Sequence, residues 1–311
     1  MHSASNGIRW GLVSAALALC ACGNYSNEDL VFLSAIPSRE QLQIAVPKAA
    51  GQALCALGEA TYATGAQTQG TNVDKGVDNI LGLVDAIRAV PPTVRDGDRR
   101  TWGPWRDDKH ASVEYVVTMI RTRGATPAND NFGYLLAGRK DGSAWVSLLS
   151  GTFNGSQARH GTGALRLDFE GAWKLGTNGA DDPHGAIQVA YTLGGDPRTI
   201  ELDLTAAPGF GLSVYHYVWA GYADGRAIFD FKFGDQSGNA FTVDARFTSK
   251  GDGRASITGT APNGDTAHID SCFDGQACIT WLDDIHGFTP ACGGHAFCKL
   301  GSQAACPSGT P

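Results

Sequence analysis

From about Thr101 onward the chain alternates apolar and polar residues with a period of two, and this pattern restricts it to strands with one dry and one wet face. Leu165, Leu167, Phe169 and Trp173 alternate with Arg166, Asp168, Glu170 and Lys174. Ile200, Leu202 and Leu204 alternate with Glu201 and Asp203, and Phe229, Phe231 and Phe233 with Asp230 and Lys232. Phe241, Val243 and Phe247 do the same with Thr242, Asp244 and Arg246. Glycine-containing turns at 140–143, 223–226, 250–254 and 262–265 join consecutive runs as antiparallel hairpins, so the topology is a meander. The count, about ten to twelve strands, exceeds what a flat open sheet normally tolerates, which predicts a curled or closed antiparallel meander with its dry faces inward.

Ahead of the strands the pattern is helical. Val73, Val77, Ile80, Leu81, Val84 and Ile87 recur at spacings of three and four until Pro91 and Pro92 stop the run. A second helix over Gln52 to Thr64 would complete an N-terminal helical hairpin. Ser26 and Asp29 form a cap for a short helix, and Leu42, Ile44 and Val46 read as one short strand. The expected organisation is a leader at 1–21, a tether at 22–47, a helical hairpin at 48–92, a β domain at 93–273 and a cysteine-rich tail at 274–311.

The leader carries Arg9 and no acid, followed by an apolar run from Gly11 to Leu19 that is too short to span a bilayer. The residues Leu19-Cys20-Ala21-Cys22-Gly23 resemble the lipobox of bacterial lipoproteins, in which a leucine and two small residues precede the lipidated cysteine. The resemblance covers the first two dozen residues and implies export, cleavage after Ala21, and a lipid anchor, with acyl chains such as palmitate, on Cys22. Gly23, where an aspartate would favour inner-membrane retention, implies the outer membrane, with the body facing the periplasm or the cell surface.

Cysteine counting fits that register. With Cys20 removed and Cys22 lipidated, six cysteines remain: Cys55, Cys272, Cys278, Cys292, Cys298 and Cys306. Five lie between Cys272 and Cys306, so full oxidation requires one of them to reach Cys55, and the fifteen possible pairings are otherwise open. A zinc site from His286, Cys292, His295 and Cys298 is the rival reading; it lacks a C-x2-C pair and sits in an oxidising compartment.

The 290 residues after the leader carry 23 basic and 31 acidic side chains, and the densest basic stretch, Arg95 to Lys109, is interleaved with acids. That excludes nucleic acid as a partner. No H-E-x-x-H, nucleophile-elbow, phosphate-loop or dinucleotide motif occurs, and no cofactor, metal or catalytic residue is expected. Asp181, Asp182 and Asp252 offer oxygens to calcium without matching a calcium loop, and the D-x-E pair Asp168 and Glu170 would place two carboxylates about 7 Å apart on one strand face, thin grounds for glycoside cleavage. His216 stands between Val214 and Val218, whereas Tyr215, Tyr217 and Trp219 line the other face of the same strand. Together with Phe229, Phe231 and Phe233 these rings are core or the lining of a cavity for an apolar small molecule.

The sequence thus points to an exported, membrane-anchored, non-catalytic binding or envelope-structural module, whose partner is an apolar ligand or an envelope protein. Lipoprotein carriers that curl a sheet around helices are similar in architecture. The alternative is an envelope hydrolase with a histidine and a carboxylate brought together in space, and its mark would be an acidic partner for His216.

Overall fold

The computed structural model describes residues 25–47, 55–60, 63–66, 71, 89–155, 160–179, 184–207, 212–235, 237–287 and 289–311. The lipobox, positions 73–88 of the expected long helix, and Asp181 and Asp182 lie outside these residues. The chain divides into two compact units.

The first unit is built on β1 (Val94–Asp96), β2 (Arg99–Arg106), β3 (Val113–Thr122), β4 (Asn131–Lys140), β5 (Val146–Asn154), β6 (Thr162–Asp168) and β7 (Ala186–Thr192). The second is built on β8 (Arg198–Ala207), β9 (Leu212–Gly221), β10 (Ala227–Asp235), β11 (Ala240–Phe247), β12 (Gly253–Thr260), β13 (Thr266–Phe273), β14 (Ile279–Asp284) and β15 (Cys298–Gly301). Strand order follows sequence order, and the four turns read from the sequence join β4 to β5, β9 to β10, β11 to β12 and β12 to β13. The meander is therefore as expected, but with fifteen strands, and it is open: among the described residues β1 pairs with β2 and β15 with β14 and neither pairs further. The added strands are short or lie where other signals dominate. β1 has three residues, and β14 and β15 come from the cysteine-rich tail, so the sheet continues well past 273.

Helix α1 (Asn27–Ser34) is the short helix that Ser26 and Asp29 announced. The Ser26 hydroxyl accepts from the Asp29 backbone N–H at 3.1 Å, and the Asp29 carboxylate accepts from the Ser26 N–H at 2.9 Å, a reciprocal capping box. Asp29 is fully buried and also accepts from Arg95 at 2.9 Å and Arg100 at 2.6 Å, which fastens α1 to β1 and β2. Phe32 of the same helix meets Phe132 edge-on, with ring centroids 5.7 Å apart, and lies beneath the Arg100 guanidinium. Arg121 joins the arrangement from β3, bonded to Glu28 and to the buried Asp130.

Several expectations are corrected. The strand at 42–46 does not form: α2 (Arg39–Leu42) ends there, and Leu42, Ile44 and Val46 are buried outside any strand. The helix over Gln52 to Thr64 is absent across Cys55 to Ala60, where Glu59 makes a bridge to Cys278 and the chain runs beside β14. Phe169, Glu170 and Trp173 belong to a helix, α3 (Phe169–Leu175), and not to a strand. Asp168 caps it by accepting from the Glu170 N–H at 3.0 Å, and Gly176, at φ 70°, closes it in the left-handed conformation. Leu175 of α3 packs on Gly138 of β4, where a Cβ would come within 2.5 Å of the leucine.

Asp29 is a buried charge that ties the N-terminal helix to two strands. Burial raises its pKa, but the Ser26 N–H and the two arginines outweigh it and hold the carboxyl at about 2. Because the folded value lies below the ordinary carboxylate value, this stabilisation is present above about pH 4 and is lost as pH falls towards 2. Asp29→Ala leaves Arg100 buried without its partner and should cost about 3 kcal/mol, the low end for a broken buried pair because Arg95 is 41% exposed. Urea unfolding at pH 7 measures this, and the difference from wild type should shrink at pH 2.5.

Candidate functional site

The second unit separates its two faces cleanly. β9, β10 and β11 are in register so that Phe229 sits between Trp219 and Ala245, Phe231 between Tyr217 and Val243, and Phe233 between Tyr215 and Phe241. Tyr217 and Phe229 meet edge-on at 4.5 Å, and Phe233 stacks on Phe241 at 4.9 Å. Tyr217, Trp219, Phe229 and Phe231 are buried, which makes them core, whereas Tyr215, Phe233 and Phe241 are only partly covered. Trp219 also lies under the Arg198 guanidinium, 4.9 Å from its ring centroid. A concavity of about 280 Å³ occurs in this unit, but it is open and its walls are Asp224, Arg226, Thr248, Lys250 and Ser308, not the aromatic face.

On the opposite face, β8 and β9 bring together three side chains, two from one strand and one from the next. Glu201 and Asp203 are two apart on β8, on the side away from the buried Ile200 and Leu202, and His216 projects from β9 away from Tyr217. His216 Nδ1 lies 2.7 Å from Asp203 Oδ1 and 3.9 Å from Glu201 Oε1. One donor atom from each of the three lies within 4.8 Å of the others. The acidic partner that would mark His216 is present, and so is a second carboxylate that the sequence reading did not assign. The signal was the alternation of β8, which had put both acids on its wet face, but only the β8–β9 pairing sets them against His216.

The other candidate residues separate. Cys55 pairs with Cys278, Cys272 with Cys306, and Cys292 with Cys298, which removes the tail zinc site. Asp168 and Glu170 are divided between a cap and a helix, and Glu170 is bonded to His184, which stacks on Trp173 at 4.3 Å. Asp252 accepts a hydrogen bond from the Thr248 hydroxyl within the β11–β12 turn.

Further along the same wet face Asp230 is directly opposite Asp244, and its buried Oδ1 has no hydrogen-bond partner among the described residues. Arg246 is bonded to Asp244 at 2.6 Å instead. Burial, followed by the Asp244 charge, pushes the Asp230 carboxyl up to about 6 against the weaker pull of Arg246 and Lys232. A carboxyl with a raised folded pKa binds its proton more tightly when folded, so the stability it confers is lost as pH rises from about 4 through 6. Asp230→Asn should be more stable than wild type at pH 7.5 and indistinguishable from it at pH 4. Thermal unfolding at the two pH values checks this, and a variant destabilised at pH 7.5 would contradict it.

Family models, curated proteins and solved structures were all compared with this chain, and none matches it.

Proposed function

We propose that the chain is an exported bacterial lipoprotein, anchored in the outer membrane through Cys22, whose two β units form a non-catalytic binding module of the cell envelope. The observation that carries this reading is the cysteine pairing. All six cysteines beyond residue 22 are joined in three disulfides, one of them closing 223 residues between Cys55 and Cys278. Such bonds persist in oxidising compartments, and complete pairing leaves Cys22 as the one cysteine of the processed chain for a lipid. The outer membrane follows from Gly23 after the lipid site. The binding role rests on exposed, well-anchored side chains of the second unit, and an apolar ligand would be held at the partly covered Tyr215, Phe233 and Phe241 end of its aromatic face.

The hydrolase alternative has the His216–Asp203 pair in its favour. A nucleophile would complete it, but the described hydrogen bond of His216 leads to Asp203 and its other close polar neighbour is Glu201.

Expression of the full chain in a Gram-negative host with radiolabelled palmitate tests the anchor. The mature protein should carry label and sediment with outer-membrane fragments, and Cys22→Ser should abolish both. Label retained by the Cys22→Ser chain would sink lipidation at this residue. Native mass spectrometry of residues 23–311, compared with the denatured mass, then reads any apolar ligand directly.

A further inference from the structure

We propose that Glu201, Asp203 and His216 bind a divalent transition-metal ion of borderline character, with Zn²⁺ as its most fitting probe. The donor set is one imidazole and two carboxylates, all of them zinc ligands, and three protein ligands leave the fourth position to water or an exchangeable group. Tetrahedral zinc with bonds near 2.1 Å sets its donors about 3.4 Å apart. The observed 2.7 Å and 3.9 Å separations of His216 Nδ1 from Asp203 and Glu201 bracket that value, so small side-chain rotations reach it.

Two features outside the donor geometry favour a cation here. The first is charge. Asp224, Asp244 and Asp283 in this unit are each bonded to an arginine or lysine, with Arg226, Arg246 and Lys299 as partners at 2.6 to 2.8 Å. Glu201 and Asp203 have no arginine or lysine partner among the described ion pairs and share His216 alone. The second is support. Ile200 and Leu202 fix β8 from its buried face, and Tyr217 and Trp219 fix β9, so the three ligands stand on paired strands and not on loops. Lys232, in register with His216 on β10, is the one opposing charge in these pairings; it stands across His216 from the two acids and is exposed. It should weaken the site without occupying it.

The test is zinc titration of the full chain, purified without an affinity tag and with free thiols alkylated so that Cys20 and Cys22 cannot compete. Isothermal titration should give one Zn²⁺ per chain. His216→Ala and Asp203→Asn should each weaken binding at least tenfold, since loss of an outer-shell partner alone costs about 10- to 100-fold, and Lys232→Gln should tighten it. His268→Ala, at an exposed histidine paired with Asp270 elsewhere on the sheet, should leave the titration unchanged. Circular dichroism and intact mass verify that each variant keeps its β content and three disulfides. No stoichiometric binding by wild type, or equal binding by a folded His216→Ala chain, overturns the proposal; neither result bears on lipidation at Cys22.

Discussion

Register is the constraint on which the second unit depends. Side chains alternate between faces with a period of two, so a slip of one residue in any pairing would exchange every wet and dry position of that strand. With Phe229, Phe231 and Phe233 set between the rings of β9 and the apolar positions of β11, Asp230 and Lys232 are forced to the other face opposite Val218 and His216. A slip would bury Asp230 and Lys232 among aromatics, at a cost of several kcal/mol for each unpaired charge. Tight turns hold the register. Gly225 and Gly251, at φ 89° and 84°, adopt the left-handed conformation that the β9–β10 and β11–β12 connections require. The wet-face chemistry is therefore placed by dry-face packing.

An open meander has two ends, and unpaired strand edges invite association. Here both terminal strands are short: β1 has three residues, all exposed, and β15 has four, with Lys299 bonded across to Asp283. The disulfides act at the β15 end. Cys272 on β13 holds Cys306 of the terminal segment, Cys278 beside β14 holds Cys55, and the Cys292–Cys298 bond closes the loop that delivers β15. These segments have few apolar residues with which to hold themselves, and covalent closure substitutes for burial by limiting the unfolded chain.

The strands and hairpins were legible because alternation and turn chemistry are local. Helix α3 was not, because Leu165, Leu167, Phe169 and Trp173 satisfy alternation while Phe169, Ala172 and Trp173 also satisfy a helical spacing. Asp168 and Gly176, a cap at each end of seven residues, were the deciding signals. β14 was hidden by its setting: Ile279 to Leu282 is a strand-forming run, but the cysteines on either side read as an irregular tail. The three-residue site was half legible. Sequence put Glu201 and Asp203 on a wet face and set His216 apart, yet alternation within each strand does not give the register between them, so their meeting could not be derived.

The wet face of the second unit meets one physical problem in three ways. Alternation places acids on it, and strand pairing then brings carboxylates close to one another. At Asp244 an arginine two residues along the strand supplies the compensating charge. Asp230, opposite it, has a buried oxygen with no hydrogen-bond donor, and a proton becomes the cheapest counter-charge, which is why its pKa rises. Glu201 and Asp203 are each about half exposed, at 49% and 48%, so water can solvate them. The same exposure leaves their lone pairs open to a ligand from solution, which distinguishes this cluster from the Asp230–Asp244 pair on the same sheet.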